Sequence, residues 1–355
     1  MSTSTPLRVL IVAPSQGGYG GIEAVMLAQA ASLLGNSKFS PRLCFKLVQG
    51  ATFGEALRTE CDKLGVPYSV TQRASVDLFN NLRWAEIVHA HNAAPDIVLG
   101  AKFLRRPVVL TIHNHRPKQN SPRARLWALG IQYANVRCYI SDFVRRTWEP
   151  NGPRAGSEII PSVSRLPKRE VTWDREGFFF IGRWIANKGI EELVEAYATA
   201  NINRARWSLT LAGNGPLRAN VEALIARHAL TTVRLAGFLS EEEKFSSMGR
   251  AKWNVAPPHT DEDLGLTPIE ARHLAVPSII TRDGGLPEAA GPDALVAEPG
   301  GVTSLRAQLE KAAAMPEEEY QRRAIGSQMQ LDKFLRPLSD YHAIYCRLAG
   351  REIQS

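Results

Sequence analysis

The chain has 355 residues, 44% hydrophobic, 22% charged and 8% aromatic, a balance that excludes disordered and fibrous classes and leaves room for two globular domains. Its net charge of +8 sits early, with about 19 Lys and Arg against about 10 Asp and Glu in residues 1–160. Such a half suits nucleic acid, anionic lipid, a phosphorylated acceptor, or a basic surface that is merely solvated.

No stretch approaches the roughly 20 apolar residues that span a bilayer, and no charged segment leads into an apolar run at the start. The expectation is a cytoplasmic protein. Cys44, Cys61, Cys138 and Cys346 are scattered, so they read as reduced packing residues rather than a disulfide or zinc framework.

Leu7 to Ala13 is a β-branched apolar run ending in a Pro-Ser-Gln-Gly-Gly loop, as a buried parallel strand begins an α/β unit. A helical stretch from Ile22 to Leu34 follows. Further strands are expected at Leu43 to Val48, Ile87 to Ala90, Val108 to Ile112 and Cys138 to Ile140. Glu158 to Arg169, with two prolines and no helical period, reads as an interdomain linker. The alternation then restarts, with strands at Phe178 to Ile181, Ser208 to Ala212, Val233 to Ala236, Asn254 to Ala256, Ser278 to Thr281 and Ala294 to Val296. Pro316 to Gly350 is helical by pattern, interrupted at Pro337. Strand–helix alternation throughout predicts α/β architecture: two Rossmann-like, doubly wound domains. The expected boundaries are 1–160, 161–335 and a C-terminal helix, 336–355, packing back on the first domain.

Residues that could carry chemistry concentrate in the second half. Glu262 and Glu270 stand eight positions apart across a Gly265 turn, where Thr267 can cap a helix and Pro268 fits its first turn. A helix start aims free N–H groups at phosphate; Glu270 alternatively serves only as a capping-box glutamate. Arg183 and Lys188 lie on a loop bounded by Gly182 and Gly189 directly after a strand, where open α/β sheets bind ligands. There they would neutralise a departing diphosphate.

The set of Gly-Arg-x4-Lys-Gly at Gly182 to Gly189, the Gly213-Asn214-Gly215-Pro216 turn, the Glu262/Glu270 pair and Gly-Gly-x-Pro-Glu at Gly284 to Glu288 resembles family 4 of the glycosyltransferases. The similarity extends to the glycine loop with Glu23, to His113 and to Ile159-Ile160-Pro161. The resemblance implies the GT-B fold, two Rossmann-like domains facing each other across a cleft, and a retaining, nucleotide-sugar-dependent hexosyltransferase. Arg183 and Lys188 would grip the diphosphate, with backbone around Gly265, Leu266 and Thr267 assisting. Glu270 would bind the ribose, Glu262 the donor sugar, and His113 would reach that sugar from the first domain. Gly182, Gly213 and Gly215 would bind the donor, and Gly18, Gly20 and Gly21 would let backbone come close to the donor phosphates or the acceptor. Glu23, His115 and Arg116 are the expected acceptor contacts. Pro258-His259 and Asp263-Leu264 depart from the family's usual Pro-Ser and Gly-Phe, which bears on the sugar taken.

The implied partners are a nucleotide-diphosphate sugar and a saccharide or lipid-linked acceptor, as in cell-surface polysaccharide or glycolipid synthesis, with no cofactor, metal or nucleic acid. Arg105, Arg106, Arg116, Lys118, Arg123, Arg125, Trp127, Arg145, Arg146 and Trp148 would suit an anionic membrane at the inner face of the plasma membrane, or a phosphorylated soluble acceptor. Asp261-Glu262-Asp263 matches an Asp-x-Asp metal motif, and His89/His91 and His113/His115 could each present two imidazoles to zinc. Gly18-x-Gly20 lacks the third glycine of a dinucleotide fingerprint. A nucleotide-sugar hydrolase or epimerase of the same fold, and a non-enzymatic nucleic-acid binder, are the other readings.

Overall fold

A computed structural model describes residues 5–118, 121–161, 163, 166–169 and 171–351, apart from the side chain of Arg123. Arg123's place in the basic stretch, and Ser162, Ser164 and Arg165 of the expected linker, therefore lie outside the described residues. The chain divides into two compact units, Met1–Arg165 together with Leu335–Ser355, and Leu166–Phe334.

In the first unit β1 (Leu7–Ser15), α1 (Gly21–Leu34), β2 (Phe39–Leu47), α2 (Glu55–Leu64), β3 (Tyr68–Thr71), α3 (Val76–Trp84) and β4 (Ile87–His91) alternate. They continue through α4 (Pro95–Phe103), β5 (Val108–Ile112), α5 (Pro122–Tyr133), β6 (Val136–Tyr139), α6 (Asp142–Trp148) and β7 (Ser157–Ile159). All strands pair in parallel in the order β3-β2-β1-β4-β5-β6-β7. The first strand and the two after it in the order are almost wholly buried, which is why they read as unbroken apolar runs. The short edge strands β3 and β7 are only half-buried and carry no such run. The sequence pattern therefore misses them, and the expected linker at Glu158 begins inside β7.

The second unit runs β8 (Glu176–Ile181), α7 (Ile190–Thr199), β9 (Leu209–Ala212), α8 (Arg218–Arg227), β10 (Val233–Gly237), α9 (Glu241–Arg250) and β11 (Ala251–Ala256). Then come α10 (Leu266–His273), β12 (Ser278–Thr281), α11 (Leu286–Ala290), β13 (Leu295–Ala297), α12 (Val302–Ala313) and α13 (Glu317–Phe334). Its parallel sheet has the order β10-β9-β8-β11-β12-β13. After Pro337 the chain forms α14 (Asp340–Leu348), whose Tyr341, Ile344 and Tyr345 join Val9, Ile11, Met26 and Val109 in the first core. Each such buried side chain contributes on the order of 1.5–3 kcal/mol.

Caps fix several helix starts. Ser121, Ser141 and Ser75 accept N–H bonds from the third residue on, and Ser240 with Glu243 closes a capping box.

Candidate functional site

In the second sheet the strand order reverses between β8 and β11, the topological switch point at whose carboxyl ends ligands bind. The loop leaving β8 carries Arg183 and Lys188 around a single 3-10 turn, Ala186–Lys188. Trp184 between them is fully buried; its indole N–H donates to the Ala212 carbonyl at 3.1 Å, and its backbone N–H to that of Asn214 at 2.9 Å. The two loops press so close that a Cβ on Gly213, where φ is +106°, would lie 1.9 Å from the Gly182 oxygen. Anchored this way, the loop leaves the Arg183 side chain exposed and without a hydrogen-bonding partner among the described residues.

The loop leaving β11 brings Glu262. The Asp283 carboxylate accepts the backbone N–H groups of Asp261 and Glu262 at 3.0 and 2.8 Å, and Gly285 N–H donates to the Glu262 carbonyl at 2.7 Å. So held, Glu262 meets Lys188 with 2.5 Å between Oε2 and Nζ. Arg183, Lys188, Glu262, Gly265, Leu266 and Thr267 line one cavity of about 280 Å³. Leu266 opens α10, behind Gly265 at φ +91° with no side-chain cap, so its first N–H groups stay available to a ligand. Two cations and a helix start thus surround a carboxylate, an arrangement that suits a diphosphate joined to a polar group.

Two expectations change here. Thr267 is the second helical residue and caps nothing, and Glu270 is the fifth, too far along to close a capping box. Glu270 also does not line the cavity. Its Oε1 accepts from Lys244 Nζ at 2.8 Å, and Lys244, on α9, also pairs with Glu241. Burial raises the Glu270 pKa, and the ammonium of Lys244 offsets this only in part.

In the first unit the loop between β1 and α1 carries Gly18 and Gly20, and Gly21 is the first residue of α1. Glu23 turns inward, its Oε1 accepting from Ser15 Oγ at 2.7 Å, and Ser15 Oγ in turn accepts the Gly17 N–H. This carboxylate holds the loop closed on the strand. His113 follows β5, with Nε2 2.9 Å from His91 Nδ1, and His91 Nε2 lies 2.9 Å from Gln29 Oε1. With the amide oxygen assigned as acceptor, His91 carries its proton on Nε2 and His113 donates from Nε2, which leaves His113 Nδ1 as the acceptor. Burial holds His113 down to about 4 and His89 to about 3, so these imidazoles are neutral near pH 7.

The zinc reading of His89 and His91 fails on occupancy of their ring nitrogens. Those of His89 face Tyr345 Oη and Thr111 Oγ1, and those of His91 face His113 and Gln29. His115 packs its ring 6.2 Å from that of Phe143, while Arg116 and Lys118 line a separate depression of about 250 Å³. Trp148, counted in the basic aromatic stretch, is buried and donates to the Asn114 carbonyl. Arg145 and Arg146 both pair with Asp142.

Sequence reasoning missed Asp283 and Lys244. A carboxylate beside Gly284-Gly285 just after a strand was the available signal for Asp283. Lys244 stands 26 positions from Glu270 on an ordinary charged helix and had none.

Residues 156–328 match the model of the family described as glycosyl transferases group 1. The chain is similar to the uncharacterized glycosyltransferase YqgM of Bacillus subtilis, 25% identical over 59% of this chain and 61% of that one. It is also similar to the O-antigen chain mannosyltransferase C of Escherichia coli, 30% identical over 29% of this chain and 26% of that one. The matched region thus spans less than two thirds of these relatives' lengths. Among solved structures, a glycosyltransferase from Rickettsia africae matches with a TM-score of 0.78 at 17% identity, over 98% of this chain and 100% of that one. Anabaena HepE, solved in complex with UDP and glucose, matches with a TM-score of 0.77 at 15% identity, over 97% and 100%. The fold is GT-B, and residues 156–328, a little under half of the chain, are similar to a glycosyltransferase family; the narrower label of family 4 rests on the motifs.

Proposed function

We propose that this chain is a retaining glycosyltransferase that moves a hexose-type sugar from a nucleoside-diphosphate sugar to a hydroxyl of a saccharide or lipid-linked acceptor. The observation that carries it is the meeting of Arg183, Lys188 and Glu262 with the start of α10 in one cavity at the switch point of the second sheet. HepE was solved with UDP and with UDP-glucose, which supports a donor of this kind.

Arg183 and Lys188 take the diphosphate and Glu262 the sugar. The bond from the anomeric carbon to the phosphate oxygen breaks as the bond to the acceptor oxygen forms on the same face. The departing phosphate oxygen takes the acceptor's proton, while the two cations stabilise its charge. No metal or other cofactor enters this scheme. Glu270 reaches the ribose only by sharing or releasing Lys244. His113, neutral, offers Nδ1 as an acceptor to a sugar hydroxyl.

Thermal shift against a panel of nucleotide sugars tests donor binding, since a ligand held only by the folded state raises Tm. Product analysis with and without acceptor then separates transfer from hydrolysis or epimerisation. No stabilisation by any nucleoside diphosphate overturns the reading.

One observation favours contact with a membrane during polysaccharide or glycolipid synthesis. On the adjoining helices α4 and α5, Leu99, Phe103, Leu126, Leu129 and Tyr133 are exposed beside Lys102, Arg105 and Arg125, and each such cation adds about 1 kcal/mol at an anionic surface. No helix among the described residues is long and apolar enough to cross a membrane. Co-sedimentation with phosphatidylglycerol vesicles, but not with neutral ones, is expected; equal recovery from both removes this part.

A further inference from the structure

In the second unit the last turns of α10 and α13 and the end of α11 surround an open depression of about 460 Å³. It shares no lining residue with the cavity of Arg183, Lys188 and Glu262.

Arg272, in the last turn of α10, is 1% exposed. Its Nε donates to the Ser327 carbonyl at 3.0 Å and its Nη1 to the Ala289 carbonyl at 2.7 Å, which ties α10 to α13 and α11. Nη2 makes no hydrogen bond among the described residues and is not sealed off by protein, so its N–H groups are open to the depression that Arg272 lines. A guanidinium is seldom buried this deeply without a carboxylate partner. The two carboxylates that attract Arg272 have bonds of their own, Asp332 with Arg169 at 2.7 Å and Asp293 with Gln330 Nε2 at 3.1 Å. Burial prevails over their attraction and holds Arg272 down to about 10. The similarly buried Arg137 of the first unit, by contrast, pairs with Glu149 at 3.3 Å. Gly291, at φ +72°, keeps the edge of the Arg272 guanidinium bare, because a Cβ there would lie 3.0 Å from both Cζ and Nη2. Lys333, in the last turn of α13, lines the same depression, exposed and with its ammonium unpartnered among the described residues. The helix dipole favours a cation in a last turn, which accounts for the position of Lys333 but leaves the Arg272 Nη2 donors unsatisfied. Two cations against the carboxylate of Glu288 make the described lining net positive.

We propose that this depression is a second anion site, which binds a phosphate group through Arg272 Nη2 and Lys333 Nζ. The inference goes beyond the glycosyltransferase reading and does not depend on it. A tetrahedral phosphate accepts from donors that arrive from two different helices, and near pH 7 it carries nearly twice the charge of a carboxylate, whose two oxygens lie in one plane. Free phosphate and the phosphate of a phosphorylated sugar share this chemistry, and the space around the two donors exceeds that of a bare phosphate.

The test is isothermal titration of the full chain, with UDP in excess to fill the donor cavity, using inorganic phosphate, glucose 6-phosphate, glucose and acetate. At least one of the two phosphates is expected to bind, with glucose and acetate inert, and hydrogen exchange should slow at residues 288–292 and 330–334. Equal affinity for the two phosphates assigns the site to free phosphate, and tighter binding of glucose 6-phosphate assigns it to a phosphorylated sugar. Lys333→Glu and Arg272→Lys, which keeps the charge but loses the guanidinium fork, each weaken binding about tenfold or more. In both variants, binding of UDP is unchanged. Should Arg272→Lys fail to fold, Lys333→Glu, at an exposed position, decides alone. The proposal is overturned if neither phosphate binds, if acetate binds as tightly, if binding survives Lys333→Glu, or if the protected amides lie elsewhere. A chain that binds UDP but no phosphate here loses only this proposal, whereas one that binds phosphate here but no nucleoside diphosphate keeps this site and loses the functional reading.

Discussion

Lys188 Nζ and Glu262 Oε2 lie 2.5 Å apart, although 74 positions separate the two residues in the chain. Each neutralises the other in the cavity that both line, and on the proposed reading a donor exchanges this contact for its own. Glu262→Gln and Lys188→Ala are each expected to lower kcat by about 10²–10³-fold, the usual loss when one group that stabilises developing charge is removed. The double variant should lose far less than the product of the single effects, because the two act as one unit. Steady-state kinetics of the four proteins decides it; additive losses contradict the pairing.

The Arg183 side chain has no partner among the described residues and is exposed. Arg183→Ala should therefore leave stability within about 0.5 kcal/mol of the parent, while affinity for a nucleoside diphosphate and turnover both fall. Calorimetry with UDP and GDP, beside urea unfolding, separates a ligand contact from a structural one.

Lys244→Met leaves the Glu270 carboxylate buried without its cation. The side chains of this pair are 12% and 14% exposed, and breaking a buried pair costs about 3–5 kcal/mol. Burial already raises the Glu270 pKa; losing Lys244 raises it further. A raised carboxylate penalises the fold as pH rises through its value, so the deficit of Lys244→Met should be largest near pH 7 and shrink toward acid. Urea unfolding across that range tests this, and a deficit independent of pH would contradict it.

Gly284 has φ of +50°, and a Cβ there would sit 2.0 Å from the Glu262 carbonyl oxygen. Gly284→Ala is expected to cost about 1–3 kcal/mol in backbone strain and to reduce transfer by moving Glu262. A variant with parental turnover would show that the loop tolerates the shift.

His89 and His91, both buried, stack with the half-buried His113, with rings 4.7 and 5.2 Å apart. Burial depresses all of them, His113 to about 4 and His89 to about 3. Unfolded imidazoles take up protons near pH 6.5, so between there and the folded values the unfolded chain binds more protons. Their contribution is intact above about pH 6.5 and is lost on acidification, at up to about 1.4 kcal/mol per pH unit for each histidine. His91→Gln should flatten the fall in urea-unfolding free energy between about pH 7 and about pH 5; an unchanged slope would mean that the stack does not set it.

What the residue string determined by itself was the local order: which runs are buried strands, where helices follow, and that glycine-bounded cations end one strand while glutamates follow another. Burial and backbone geometry leave those marks on neighbouring residues, so β8 to β13 and the Arg183/Lys188 loop were legible. Edge strands β3 and β7 were not, because these short, half-exposed strands keep no apolar run, whereas the half-exposed edge strand β10 keeps Val233, Leu235 and Ala236. Tertiary structure alone decided that Glu270 is bound by Lys244, that Glu23 faces Ser15, that Trp148 is core, and that Lys46 and Asp96 meet across 50 positions. An ion pair or a cavity forms where distant segments are packed together, and no periodicity along the chain records which partner a side chain will find.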